Sequence, residues 1–134
     1  MRPPRLILKG FTPAREEAFR AVYSECEWLV PRWVLEATVT AREEPSPNLL
    51  SCGCSPEYGL FSLDVHHSFW DADPQQQRCA IRHELKHAHD WELATFAKKL
   101  IRFAPKDARR QLRERLVEIE ERSAQEFGFA MEGR

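Results

Sequence analysis

One segment of the chain decides its fold and its chemistry: Arg82-His83-Glu84-Leu85-Lys86-His87-Ala88-His89-Asp90, which contains the pattern H-E-x-x-H. On a helix, His83 and His87 lie four residues apart and share one face, close enough to bind a single metal ion. Glu84 lies about 100° around the helix from His83, where it could reach a water on the metal without binding the metal itself. The pattern therefore predicts a zinc-binding helix with Glu84 as the catalytic base.

The residues around the motif also predict a helix. Asp73 has the features of an N-cap, Pro74 takes the first helical position, and Gln76 stands three residues after the cap. Neither Gly nor Pro occurs again until Pro105. The alternative to a metal site is a polar helix with solvated histidines. Asp90, one turn beyond His87, could accept a hydrogen bond from a ligand imidazole or could be an ordinary exposed charge.

Length and composition limit the possible classes of protein. A chain of 134 residues with 43% hydrophobic residues predicts one domain covering residues 1–134. The 20 basic and 21 acidic residues nearly cancel, which argues against a nucleic-acid partner. No run of 18 apolar residues is present, so no membrane partner is expected, and the N-terminal apolar stretch is too short for a signal peptide. We expect a soluble cytoplasmic protein, and its oligomeric state stays open.

The four cysteines do not predict a zinc site of their own. Cys52 and Cys54 are separated by one residue, whereas zinc-binding pairs usually have two or more between them, and no second pair follows. Cys26 and Cys79 fall in predicted helices, where a small buried hydrophobic residue is expected. Reduced thiols are the favoured interpretation, and a redox or metal role of Cys52 and Cys54 in a loop is the alternative.

The rest of the chain predicts a small sheet and two further helices. Leu6 to Lys9 is a candidate edge strand, and Thr12-Pro13 begins a helix that runs to about Leu29. Alternation over 33–42 and 60–66 predicts two strands, joined by a loop over 44–58 and therefore antiparallel. If the second strand is an edge beside the motif helix, it could bind an extended peptide. His66 and His67 would then lie near the cleft and could stabilise an oxyanion, or they could be plain surface histidines.

Two helical segments follow the motif. The first carries apolar residues at helical spacing, which predicts a core stripe: Leu93, Phe96, Ala97, Leu100, Ile101 and Ala104. The second runs from about Lys106 to Phe127. Its row of Arg110, Glu114, Glu118 and Arg122 has mixed charge, which favours a solvated face over a phosphate-binding patch.

A catalytic zinc site needs a third protein ligand, and the last helix offers two candidates. Helical geometry places Glu120 nearer the centre of the apolar stripe and Glu121 at its edge beside the small residues Ala124 and Gly128. The pattern H-E-L-x-H followed by E-x-x-A-x-x-F-G, from Glu121 to Gly128, resembles the glutamate zincins, especially the ImmA/IrrE-like peptidases. The resemblance implies that Glu121 is the third zinc ligand. The small neighbours agree with it, and Glu120 is the alternative.

These observations predict an α+β fold of the minimal zincin type. It would have an N-terminal helix, a small and mostly antiparallel sheet, the motif helix and a C-terminal ligand helix. Zn²⁺ would be bound by His83, His87 and Glu121, and Glu84 would deprotonate a metal-activated water that attacks a peptide or protein substrate. His66, His67 and His89 are candidate helpers. The alternative is a catalytically silent interaction or regulatory module stabilised by zinc.

Overall fold

Three helices and a four-stranded mixed sheet make up the fold, which is α+β. A computed structural model of the chain describes residues 3–131. In chain order the elements are β1 (Arg5–Lys9), α1 (Pro13–Cys26), β2 (Glu36–Ala41), β3 (Leu50–Ser55), β4 (Leu60–Val65), α2 (Pro74–Ile101) and α3 (Lys106–Ala130). Short 3₁₀ turns cover Glu27–Leu29, Pro56–Tyr58 and His67–Asp71.

The sheet has the order β1-β2-β4-β3, and the prediction of a mostly antiparallel sheet is wrong. The pairs β1–β2 and β2–β4 are parallel, and only β3–β4 is antiparallel. The two strands predicted from alternation are β2 and β4, and they run parallel because an unpredicted strand lies between them in the chain. β4 is therefore a central strand, so the condition under which it could bind an extended peptide is not met, whereas the candidate edge strand β1 does lie at an edge.

The unpredicted strand is β3, whose Ser, Gly and Cys content favours a loop. Leu50, Cys52 and Cys54 lie opposite Val65, Leu63 and Phe61 in the antiparallel register, and those three partners are buried. Directly opposed residues share a sheet face, so the cysteines point towards the helices. If cysteine is counted as a small apolar residue, the segment from Leu50 to Ser55 alternates as a strand should.

The predicted helix starts are confirmed. The side chain of Thr12 accepts from the Arg15 N–H at 3.2 Å at the start of α1. Asp73 accepts from the Gln76 N–H at 2.8 Å while the Gln76 side chain accepts from the Asp73 N–H at 3.1 Å, which completes a capping box. After this cap, α2 continues without a break for 28 residues.

The core lies between the sheet and the first half of α2, with α1 beside it. Phe19, Val39, Val65, Phe69, Ile81 and Leu85 are its largest fully buried apolar residues together with Cys26. From Trp91 onwards α2 has no buried residue, because it has run past the sheet and packs against α3. Leu93, Phe96 and Leu100 are therefore exposed, and the prediction that they belong to the core is wrong.

No helix within residues 3–131 combines the length and hydrophobicity that crossing a bilayer requires.

Candidate metal centre

Three side chains from α2 and α3 converge on one point. The Nε2 atoms of His83 and His87 are 3.1 Å apart. The Glu121 carboxylate reaches both rings, with Oε2 at 3.2 Å from His83 Nε2 and Oε1 at 3.1 Å from His87 Nε2. Within the described residues, these are the three that could hold a metal ion together.

The spacing of these atoms fits a tetrahedral metal ion. Zinc binds nitrogen and oxygen at about 2.0–2.1 Å, and two ligands of a tetrahedron at that distance are about 3.3 Å apart. The two ring nitrogens are 3.1 Å apart, and each lies 3.1–3.2 Å from a different oxygen of the Glu121 carboxylate, so each of these three distances is close to this value. With one ligand atom taken from each residue, the three atoms lie within 4.8 Å of one another. Two facing ring nitrogens also need a proton or a cation between them, since both carry a lone pair when unprotonated. Two nitrogens and a carboxylate are a donor set that zinc accepts with one position left open.

Gln125 orients one of the two histidines. His83 Nδ1–H donates to Gln125 Oε1 at 3.1 Å, which leaves the Nε2 lone pair pointing towards Glu121 and His87. The sequence assigned no role to Gln125. Its position four residues after Glu121 was the available signal, because that spacing puts both side chains on one face of α3.

Small residues on α3 bring Glu121 within reach of α2. Ala124 is fully buried, and a Cβ atom added to Gly128 would lie 2.9 Å from the carbonyl oxygen of Cys79. Any side chain at residue 128 would therefore force the two helices apart. Ala124 and Gly128, the small neighbours of Glu121 noted in the sequence, thus permit a close approach of the two helices.

Glu84 lies beside this group and is half-buried. Burial raises the pKa of Glu84 above its ordinary value, and the Glu121 carboxylate adds to the rise. The Cys52 thiol, His83 and His87 lower this pKa, but their effects are smaller than that of burial. Glu84 therefore binds a proton more readily than an exposed glutamate does, which suits a group that must take up and release one.

Cys52 contacts Glu84 from the neighbouring strand. Its Sγ lies 3.8 Å from the Glu84 backbone carbonyl. A hydrogen bond with Cys54, burial and the Glu84 carboxyl group all raise the pKa of the Cys52 thiol. Cys52 therefore stays protonated at neutral pH, and its thiol forms part of the wall next to the candidate base.

A cleft runs past the group on both sides. A cavity of about 600 Å³ extends towards the start of α2 and Phe129, and a second of about 290 Å³ extends towards Trp91 and Glu120. Both cavities are lined by the following four residues: Asn48, Leu50, His83 and Glu84. Residues 47–52, which are the first residues of the edge strand β3 and the segment before it, line one side of this cleft, and the two helices line the other.

The remaining candidate residues lie elsewhere or have other partners. His66 Nε2 is 3.0 Å from Ser51 Oγ, His67 faces Glu43 on the surface, and His89 donates to the Leu29 carbonyl at 2.6 Å. None of these three histidines lines either cavity. Asp90 pairs with Lys86 at 3.1 Å. Of the two alternatives for Asp90, the structure therefore favours an ordinary charge, and the residue that accepts from a candidate ligand imidazole is Gln125.

Glu120, the alternative ligand, lines the smaller cavity but does not join the group of three. Its Oε1 is buried and has no hydrogen-bond partner within residues 3–131. Arg110 pairs with Glu114 and Arg115 with Glu118 on the exposed face of α3, in agreement with the predicted solvated row of mixed charge.

Comparison of the chain with protein-family models, curated proteins and solved structures finds no match.

Proposed function

We propose that the chain is a zinc-dependent metalloendopeptidase of the minimal zincin type. The observation that carries the proposal is the convergence of His83, His87 and Glu121 at 3.1–3.2 Å, with Glu84 beside them in an open cleft. His83, His87 and Glu121 would bind the metal. A bound zinc ion would supply Lewis acidity, which polarises the scissile carbonyl group and makes the attacking water more acidic.

Glu84 would act as the general base. Its carboxylate would take a proton from the water that attacks the peptide carbonyl and then pass that proton to the leaving amine nitrogen. The elevated pKa that burial gives Glu84 supports both transfers. Gln125 would keep His83 in the tautomer that leaves Nε2 free for the metal.

The substrate would bind along β3. This strand is at the sheet edge, so one side of its backbone is free to pair with an extended peptide. The sequence raised this role for β4 on the condition that β4 lay at an edge, and β3 is the strand beside α2 that meets the condition. The cleft continues in both directions from Glu84, which supports cleavage within a chain rather than at its end.

The silent module stabilised by zinc is the competing function. The group of three joins α2 to α3, and a metal that binds only the folded chain would stabilise this helical hairpin. A purely structural site gains nothing from a half-buried carboxylate such as Glu84 beside it.

The test compares zinc content and peptide cleavage in four variants. We expect the wild-type protein to bind one zinc ion per chain and to cleave members of a diverse peptide library. Glu84→Gln should keep the zinc and lose cleavage by about 100-fold or more. His87→Ala and Glu121→Gln should weaken zinc binding by at least about tenfold. Glu126→Gln makes the same change as Glu121→Gln at an exposed position of α3 and should alter neither property.

Each outcome decides between the two functions. Zinc binding with a gain in stability and no cleavage of any library member would support the silent module. Full activity of Glu84→Gln would refute the assignment of the base. A wild-type chain that binds no zinc would exclude both the metallopeptidase and the module stabilised by zinc.

A further inference from the structure

The helical hairpin formed by α2 and α3 carries a large exposed apolar surface, which we call the hairpin face. Its members are 43–87% exposed, and within residues 3–131 no other element covers them: Leu93, Phe96, Leu100, Phe103, Leu112 and Ile119. At roughly 150–200 Å² for each complete side chain, they expose on the order of 600 Å². That is the upper end of the apolar patches found on monomeric proteins, and patches of this size usually bind a partner.

The hairpin face lies opposite the metal centre. Phe96 follows His87 by nine residues and Leu112 precedes Glu121 by nine. Nine residues at about 100° each amount to two and a half turns, so each apolar side chain points away from the corresponding ligand. Because His87 and Glu121 meet on one side of the hairpin, Phe96 and Leu112 share the other side. A partner on this face would leave the cleft open.

The spacing along α2 is that of a coiled-coil seam. Leu93, Phe96 and Leu100, with Phe103 in the turn that follows, are separated by three, four and three residues, which corresponds to the heptad positions a, d, a and d. An ordinary packing partner for such a seam is a second seam of the same kind. Ala94, Ala97 and Ile101 occupy the neighbouring face and are the partly buried residues beside α3.

The charges next to the seam match those of a second, antiparallel copy. Glu92 and Lys99 each directly precede an a position, so both take position g. In an antiparallel pair of helices g faces g, and Glu92 of one copy would meet Lys99 of the other twice across the two-fold axis. In a parallel pair g faces e, which is Ala97 or Ala104 here. Neither Glu92 nor Lys99 forms an ion pair within residues 3–131, so both are available.

We propose that the hairpin face is a homodimer interface in which two hairpins pack antiparallel along the seam from Leu93 to Phe103. About 600 Å² of apolar surface, with the stems of Glu92 and Lys99, approaches the roughly 800 Å² that each partner contributes to a stable interface. The dimer depends on residues outside the metal centre, so it stands or falls independently of the peptidase proposal.

Sedimentation velocity of the full chain tests the dimer directly. We expect the wild-type protein to sediment as a dimer at about 100 μM. Phe96→Glu and Leu100→Glu should each raise the dissociation constant by about 100-fold or more, because every substitution occurs twice in the interface. Val117→Glu is the matched control. Val117 is 52% exposed but lies one turn before Glu121, on the side of α3 opposite the hairpin face. The Val117→Glu protein should therefore remain a dimer. Circular dichroism checks that each variant folds.

The charge pair gives a second test that does not disturb the apolar residues. Glu92→Lys alone should weaken the dimer by about tenfold, and Glu92→Lys combined with Lys99→Glu should restore it. A parallel arrangement predicts no such rescue, so its absence would refute the antiparallel geometry.

Two results would overturn the dimer. The first is a monomeric wild-type chain at about 100 μM, and the second is a dimer that Phe96→Glu leaves unchanged. Arg102 lies in the turn, and Lys98 of α2 and Lys106 of α3 flank it. These basic residues could attract anionic lipid, so a chain that proves monomeric is then mixed with vesicles of equal parts phosphatidylglycerol and phosphatidylcholine. Binding to them that Phe96→Glu abolishes would assign the face to anionic lipid instead.

Discussion

Replacement of Gly128 by Ala should weaken the proposed zinc binding from a position that touches none of the candidate ligands. The added Cβ would lie 2.9 Å from the Cys79 carbonyl oxygen, whereas ordinary contact begins at 3.4 Å. Both atoms belong to backbone or are fixed to it, so α3 must move away from α2 by about 0.5 Å. Glu121 is two turns away on the same helix and moves with it.

The size of the effect follows from the tolerance of a metal site. Metal–ligand distances hold to within about 0.2 Å, so a shift of about 0.5 Å is more than the site accepts without rearrangement. We expect the zinc dissociation constant of Gly128→Ala to rise by about tenfold or more. Stability should change little or fall, since about 0.5–1 kcal/mol gained from helix propensity opposes an overpacking cost of about 1–3 kcal/mol.

Competition with a fluorescent zinc chelator measures the affinity, and urea unfolding measures the stability. Ala130→Leu is the control, since it adds more volume at an exposed position of the same helix and should change neither quantity. A Gly128→Ala protein that binds zinc as tightly as wild type and is more stable would refute the argument that close helix packing positions Glu121.

Three further predictions concern single side chains. Gln125→Ala should weaken zinc binding about tenfold in the same competition assay, because His83 loses its hydrogen-bond acceptor; unchanged affinity would contradict the orienting role. Burial, with help from Glu27, raises the pKa of Tyr23 to about 12, so the neutral phenol is favoured in the folded state. The stability that Tyr23 contributes is complete below pH 10 and is lost as the pH rises towards 12. Between pH 8 and pH 11, the free energy of unfolding measured in urea should therefore fall by about 1 kcal/mol more for wild type than for Tyr23→Phe. Equal losses in the two proteins would count against a buried phenol. Burial also raises the pKa of Cys26, and the hydrogen bond with Cys54 together with burial raises that of Cys52. Iodoacetamide should therefore alkylate both thiols at least about tenfold more slowly in the native than in the urea-unfolded protein, as mass spectrometry can measure. Rapid alkylation of Cys26 or Cys52 in the native protein would contradict the raised pKa of that thiol.

Local signals in the sequence predicted the helices and the grouping of the candidate ligands. The caps at Thr12 and Asp73 depend on neighbouring residues alone, and both are present as predicted. The four-residue spacing of His83 and His87 is also local. Predicting Glu121 as a ligand required more than local spacing. It required a pattern over the last helix and the small residues that let α3 approach α2.

Non-local features could not be predicted in the same way. Strand direction depends on which strands become neighbours, and the parallel pairing of β2 with β4 follows from β3, whose Cys-Gly-Cys segment has weak strand signals. The stripe at Leu93, Phe96 and Leu100 has the correct period for a core helix. Whether such a stripe is buried depends on what lies beside it, and the sheet ends before it begins.

The unbroken length of α2 links two distant parts of the molecule. His87 is near its midpoint, and about 21 Å of helix separates His87 from Ile101, where the helix ends. A helix is stiff along its axis. A shift of α3 along α2 at the turn would therefore change the distance between His87 and Glu121 by about the same amount. A partner that fixes the relative height of the two helices at the turn would therefore change metal affinity, and the metal would change affinity for that partner by the same factor. We therefore expect any partner at the turn and the proposed metal to be coupled through rigid sliding of the two helices.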